Sequence, residues 1–117
     1  MTKIWKEPSI ESYSKAQLES QLESLYSEIR DCDFHSIEDE NLKMAYFASY
    51  QGQFFKIIRE NNLLCISLAS KKAGISCEVA ENIESGNIVP DVDTTKDYIN
   101  SVGASFHIYG FLELFEN

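Results

Sequence analysis

The stretch GQFFKIIRENNLLCISLASKKAGISCEVAENIESGNIVPDVDTTKDYINSVG, residues 52–103, decides the fold of this chain. Gly74, Gly86, Gly103 and Pro90 divide it into short segments. Within these segments apolar residues recur at the i, i+3, i+4 spacing of one helix face. Two short helices joined by a turn that contains glycine predict a helix-turn-helix unit.

The second helix of this unit has a clear start and end in the sequence. Gly74-Ile75-Ser76 is typical of a tight turn whose serine caps the next helix, because the side chain can accept a hydrogen bond from an unpaired amide. That helix is predicted over residues 77–84, and Gly86 supplies the left-handed residue that ends it. Its buried face is predicted to contain Val79, Ala80 and Ile83.

The other helices are predicted from the same kinds of signal. Within the stretch, helices are expected over about residues 53–61 and 65–72. A last helix is expected to run to about Ser101, with Asp91 or Asp93 as its cap.

The residues before this stretch predict a helical extension. Residues 1–13 are expected to be an irregular lead-in, and Ser14–Gln17 forms a capping box before a helix over residues 15–30. The apolar stripe of that helix either packs on the rest of the domain or forms a dimerisation or partner-binding surface. A second helix is predicted to start at Ser36, and Gly52 either ends it or lets it bend.

The C-terminal segment ASFHIYGFLELF, residues 104–115, changes to an alternating pattern. Alternation with aromatic and β-branched residues predicts a β-strand, with Gly110 as a bend within it. A lone strand has unpaired edges, so this one would need a partner. That partner could be a second copy, a toxin-like protein or the N-terminal lead-in.

The glycine, proline and capping residues of residues 52–103 resemble the pattern of the phage-repressor-like (Xre) helix-turn-helix family, which includes lambda repressor. The family has a G-[VI]-S turn followed downstream by I-E-x-G-x-x-x-P and a final helix closed by glycine. The residues in that register are Phe55, Lys56, Ile58, Arg59, Leu64, Gly74, Ile75, Ser76, Ile83, Glu84, Ser85, Gly86, Pro90, Thr94 and Gly103. The resemblance covers residues 52–103 without a gap.

The resemblance implies a mostly α fold of five or six helices. A lambda-repressor-like helix-turn-helix domain at residues 52–103 would follow an N-terminal helical extension at residues 1–51, used for dimerisation or partner binding. A C-terminal strand and tail would occupy residues 104–117. Terminal strands of this kind are common among Xre-type antitoxins.

Proteins of this type place the second motif helix in the major groove, with its N-terminal residues at the base edges. Glu78 could accept a hydrogen bond from cytosine, and Asn82 could pair with adenine. The family often has glutamine at the first position of both motif helices, where this chain has Ile66 and Cys77. Glu84 is expected to tie the turn after the second helix. The candidate DNA-binding residues are Lys56, Arg59, Lys71, Lys72, Ser76, Cys77, Glu78, Glu81, Asn82 and Asn87.

Composition limits the other classes of function. The net charge of −9 opposes nonspecific binding to phosphates, which depends on Lys and Arg replacing counterions. No apolar run approaches the roughly 18 residues of a membrane helix, and the sequence MTKIWKEPSI lacks the apolar core of a signal peptide. A cytoplasmic protein with reduced cysteines is expected. Cys32 and His35 have ligand-like spacing but no second pair, so neither a metal nor another cofactor is expected.

The expected function is a dimeric, sequence-specific DNA-binding transcriptional regulator, either an autoregulating repressor or an antitoxin of a toxin–antitoxin-like operon. Its expected partners are double-stranded operator DNA and a basic toxin, which the acidic chain would attract. The alternative is a protein-interaction module that kept the helix-turn-helix shape and lost DNA binding, as Ile66, Cys77, Glu78 and Glu81 would allow. No catalytic motif occurs, so an enzyme is not expected.

Overall fold

The computed structural model describes residues 10–116, with side chains from residue 15 onward, and this part of the chain is mostly α-helical. The helices are α1 (Ile10–Asp31), α2 (Glu40–Asn61), α3 (Ile66–Ala73), α4 (Cys77–Glu84), α5 (Val92–Val102) and α6 (Ile108–Glu113). A 3-10 turn at Phe34–Ser36 separates α1 from α2. The predicted mostly α architecture is confirmed.

Local capping signals set the ends of the later helices as predicted. The Ser76 hydroxyl accepts a hydrogen bond from the Val79 N–H at 3.1 Å and starts α4. The Asp91 carboxylate accepts from the Thr94 N–H at 2.7 Å and starts α5. Gly103 ends α5 with φ of 81°, the left-handed conformation that glycine adopts without a steric penalty. Asp91, rather than Asp93, is therefore the cap of α5.

Helix α2 starts later and continues further than predicted. Asp39 is its cap, accepting hydrogen bonds from the N–H groups of Asn41 and Leu42, while Ser36 belongs to the preceding 3-10 turn. Gly52 lies inside α2, so the expected boundary between residues 51 and 52 falls within one continuous helix.

Gly52 serves close packing rather than a helix end. A Cβ atom at this position would lie 2.5 Å from the Glu84 carbonyl oxygen and 2.6 Å from that of Ile83. Both are backbone atoms of α4, so the C-terminal end of α4 lies directly against α2. A contact this close requires a residue without a side chain.

Helix α1 packs on α2 and joins the main core. It begins at Ile10, four residues before the predicted capping box, and residues 1–9 of the expected lead-in lie outside the described residues. Leu22, Leu25 and Ile29 are almost completely buried in the same apolar cluster as residues of α2 and α5. The interpretation that the apolar stripe packs on the domain is therefore confirmed, and the extension shares its core.

Residues 108–113 form helix α6, where the alternating pattern of the sequence predicts a β-strand. Ile108 and Phe111 are both buried, and the Phe111 ring stacks on Phe54 with a centroid distance of 4.5 Å. The segment also carries apolar residues at helical spacing, at Ala104, Ile108 and Phe111, and the core selects this periodicity over the alternating one. Gly110 lies within α6 and is exposed.

Two glycine substitutions are predicted to have opposite effects on stability. Gly52→Ala is expected to lower the free energy of unfolding by about 2 kcal/mol, because the added methyl group meets backbone atoms of α4. Gly110→Ala is expected to raise it by about 0.5 to 1 kcal/mol, because an exposed helical glycine is replaced where the nearest atom lies 4.0 Å away. Urea unfolding followed by circular dichroism measures both changes. A Gly52→Ala variant as stable as the unmodified chain would contradict the close packing of α4 on Gly52.

Candidate nucleic-acid interface

Helices α3 and α4 form a compact pair joined by the turn at residues 74–76. Gly74 has φ of 71° and ends α3, and its N–H bonds back to the Lys71 carbonyl at 3.2 Å. Ala69 and Ala80 are completely buried. Because their side chains are small, the two helices can approach closely. Ile83 fixes the other end of α4 in the core. The opposite face of α4 is therefore left exposed to solvent.

The exposed face of α4 carries the predicted recognition residues. Cys77, Glu78 and Glu81 are exposed, and Asn82 is half-buried. The Asn87 amide donates a hydrogen bond to the Asn82 side-chain oxygen at 3.2 Å, so these two predicted residues lie together at the end of α4. The side chains can reach a ligand that approaches α4 from outside.

The predicted basic residues are divided between two helices. Lys71 and Lys72 are exposed in the last turn of α3, where positive charge is favoured by the helix dipole. Lys56 is exposed on α2. Helices α3 and α4 therefore expose two lysines and two glutamates, Glu78 and Glu81, so their surface is mixed in charge rather than basic.

Arg59 is placed differently from the other predicted DNA-binding residues. Its guanidinium donates to Glu84 through Nε at 2.7 Å and through Nη2 at 2.9 Å. Its Nη1 donates to the Leu64 carbonyl at 2.7 Å. The Arg59 side chain is 11% exposed and that of Glu84 only 5%. The expectation that Arg59 contacts DNA is therefore corrected: its side chain is almost buried, and three of its five N–H donors are engaged inside the protein.

Glu84 is the centre of a buried polar network. Besides accepting two bonds from Arg59, its carboxylate accepts a hydrogen bond from the hydroxyl of the completely buried Tyr98. These bonds join α2, α4 and α5, and the Arg59 bond to Leu64 adds the loop before α3. Glu84 is therefore structural, as expected, but its carboxylate ties α4 to α2 and α5 rather than to the turn that follows α4.

The network changes the acid–base properties of its members. The hydrogen bonds to Glu84 raise the pKa of Arg59 despite partial burial. Burial, and then the hydrogen bond to the Glu84 carboxylate, raise the pKa of Tyr98 well above its usual range. Among the described residues no buried side-chain nitrogen or oxygen lacks a hydrogen-bond partner. The network is therefore fully satisfied with Arg59 charged and Tyr98 protonated.

The sequence indicates a structural role for Glu84 but does not indicate its two partners, Arg59 and Tyr98. Arg59 lies 25 residues from Glu84 and Tyr98 lies 14 residues away, so no local spacing links them. The resemblance predicts that Arg59 contacts the DNA backbone, and its residue type alone favours exposure to solvent at least as strongly.

The described residues offer little for metal or thiol chemistry. They contain no group of three or more His, Cys, Asp or Glu side chains placed to hold a metal ion. Cys32, Cys65 and Cys77 are free thiols, the last two exposed. Hydrogen bonding from the Leu68 backbone at the start of α3 lowers the pKa of Cys65. Within residues 10–116 no helix combines the length and apolar character needed to cross a membrane.

Comparison of the chain with protein-family models, curated proteins and solved structures found no match. Its function is therefore inferred from its own residues and their geometry.

Removing Arg59 is predicted to be strongly destabilising. Arg59→Met should lower the free energy of unfolding by about 3 to 5 kcal/mol, because it leaves the Glu84 carboxylate buried without its cation. The double variant Arg59→Met/Glu84→Leu should be more stable than Arg59→Met alone, since no uncompensated charge remains. Denaturant unfolding of the two variants tests this, and a loss below about 1 kcal/mol in Arg59→Met would show that the ion pair is unimportant.

The raised pKa of Tyr98 predicts a loss of stability at alkaline pH. Below pH 10 Tyr98 is protonated in both the folded and the unfolded chain. Above pH 10 the unfolded chain releases the proton, while the folded chain retains it. Stability should therefore fall as pH rises above 10, by up to about 1.4 kcal/mol per pH unit from this residue. Tyr98→Phe should lower the free energy of unfolding by about 1 kcal/mol at neutral pH. In this variant the free energy of unfolding should also fall less steeply as the pH rises.

Urea unfolding at a series of pH values measures this slope. Tyr109→Phe, which removes a hydroxyl from an exposed ring, is the matched control for the loss of a tyrosine. Equal slopes for Tyr98→Phe and the unmodified chain would contradict the assignment.

Proposed function

We propose that the chain is a cytoplasmic, dimeric, sequence-specific DNA-binding regulator, and that α3, the turn and α4 form a lambda-repressor-like (Xre) helix-turn-helix motif. The observation that supports this most is the way α4 is held against the rest of the protein. Ala80 and Ile83 bury one face of the helix, and Glu84 anchors its end to α2 and α5. The opposite face, with its N-terminal turn at Cys77 and Glu78, is free to enter a major groove.

The side chains on this face favour reading of bases over attraction to the backbone. The Asn82 amide, held by Asn87, has the donor and acceptor pair that recognises adenine in the major groove. Glu78 can accept from the amino group of cytosine. Lys71 and Lys72 would contact phosphates on one side of α4. With a net charge of −9, the protein should bind nonspecific DNA weakly and depend on a preferred operator.

The acidic charge also fits a second role as an autoregulating repressor or antitoxin. A chain with a net charge of −9 attracts basic proteins over long range, and such attraction raises association rates and selects partners. In this proposal a basic toxin binds the regulator outside α4, and the operator binds at α4.

The alternative is a protein-interaction module that keeps the same helical pair without binding DNA. Two observations favour it: Arg59 is engaged with Glu84, and the exposed face of α4 presents Glu78 and Glu81 with no basic residue of its own. On this alternative α4 would contact a basic surface of a protein partner.

Fluorescence anisotropy with labelled promoter DNA from upstream of the chain's own gene distinguishes the two functions. Saturable binding at low salt that a scrambled duplex of equal length does not reproduce is expected for the regulator. Equal binding to both duplexes, or none at low salt, would favour the interaction module.

Single substitutions should separate backbone contacts from base contacts. Lys71→Ala and Lys72→Ala are each expected to weaken binding to all sequences and to reduce the slope of log affinity against log salt by about 0.9. Asn82→Ala is expected to cost about 1 to 3 kcal/mol on the preferred operator and to relax selection at one base pair. Lys43→Ala, on α2 beside Phe34, is the control for loss of a lysine elsewhere. The same salt slope in all three lysine variants would contradict the interface.

A further inference from the structure

Helices α3, α4 and α5 end in the same kind of backbone turn. In each turn a glycine with positive φ follows the helix, and the N–H of the next residue donates to the carbonyl five residues earlier: Ile75 to Ser70 at 3.0 Å, Asn87 to Asn82 at 3.0 Å, and Ala104 to Ile99 at 2.9 Å. The glycine N–H donates to the carbonyl three residues before it. This pair of bonds is the Schellman motif, in which the residue after the glycine often makes an apolar contact with the helix.

The turn after α4 differs from the other two in the residue that follows its glycine. Ile75 packs against the apolar core after α3, and Ala104 is completely buried after α5. After α4 the corresponding residue is Asn87, which is exposed. Its side-chain amide donates to Oδ1 of Asn82 at 3.2 Å. A polar pair therefore replaces the apolar contact at the end of the helix that is proposed to read bases.

The backbone around Asn87 is held closely in place. A Cβ atom on the preceding Gly86 would lie 2.7 Å from the Cα atom of Ser49 and 3.1 Å from its nitrogen, so the turn rests directly on the backbone of α2. Asn87 and Asn82 are joined twice, once through the main-chain N–H and once through the side chains. The Asn87 amide is therefore in a fixed position from which it can restrain the Asn82 side chain.

This restraint leaves the groups that adenine requires available on Asn82. A carboxamide oxygen has two lone pairs, and Asn87 uses one of them, so the oxygen can accept a second hydrogen bond while Nδ2 can still donate. Recognition of adenine in the major groove uses one such acceptor and one such donor. An exposed side chain loses rotamer freedom when it contacts a base, and a side chain that is already held loses less.

We propose that Asn87 is a positioning residue for base recognition, which acts by holding Asn82 rather than by contacting DNA. The sequence predicts a direct DNA contact for Asn87, whereas its bond to Asn82 supports this indirect role. The role rests on the proposed function, because it requires α4 to lie in the major groove.

Fluorescence anisotropy with the preferred operator and with duplexes changed at one base pair tests this role. The base pair is the one at which Asn82→Ala relaxes selection. Asn87→Ala should weaken binding to the preferred operator about three- to tenfold, because the Asn82 side chain must then be ordered on binding. Binding to the changed duplexes should stay the same, so the preference falls by the same factor. Alanine keeps the main-chain N–H of the turn, and urea unfolding verifies that stability is retained.

A double variant separates an indirect role from a direct one. Asn82→Ala/Asn87→Ala should bind the preferred operator as Asn82→Ala does, because Asn87 then has no side chain to hold. Asn100→Ala is the matched control: its Oδ1 accepts from the Ser105 hydroxyl at 3.2 Å on the exposed side of α5, and its loss should leave the preference unchanged. A further loss of affinity in the double variant would show that Asn87 contacts DNA itself and would overturn the proposal.

The remaining outcomes distinguish this role from the proposed function. If Asn82→Ala relaxes selection at one base pair and Asn87→Ala does not, only the role of Asn87 fails. Equal weakening by Asn87→Ala on every duplex would show a purely structural effect and would also overturn it. If the unmodified chain does not distinguish its promoter from a scrambled duplex, the proposed function and the role of Asn87 both fail.

Discussion

The structure depends on the buried contact between the Arg59 guanidinium and the Glu84 carboxylate. Burying one charge alone would be very unfavourable, so the two residues are stable inside the protein only when they meet with good geometry. Two donor–acceptor pairs at 2.7 and 2.9 Å, together with the bonds to Tyr98 and Leu64, provide that geometry. The contact holds α4 at a fixed position relative to α2 and α5, so the exposed face of α4 is set by groups that lie beneath it.

Close packing supports this arrangement from the same side. The backbone of α4 approaches α2 at Gly52, where only a residue without a side chain fits. Phe55 packs edge-on against Tyr98 with ring centroids 5.2 Å apart, which places the Tyr98 hydroxyl against Glu84. The polar network and the apolar core are therefore interdependent: a shift of α4 away from Gly52 would weaken both.

The net charge of the chain affects the two proposed activities in opposite ways. An acidic protein gains little from general attraction to nucleic acid, so the proposed binding of DNA by α4 would depend on a few directed contacts. The same charge favours a basic protein partner over nucleic acid.

The sequence alone determined the mostly helical architecture and the ends of α3, α4 and α5, because Gly74, Ser76, Asp91 and Gly103 act through bonds to residues a few positions away. It also indicated which face of α4 is exposed. Only the tertiary structure decided that α2 continues through Gly52, that residues 108–113 form a helix, and that Arg59 lies inside against Glu84. Each of these depends on contacts with residues distant in sequence, and local periodicity contains no information about such partners.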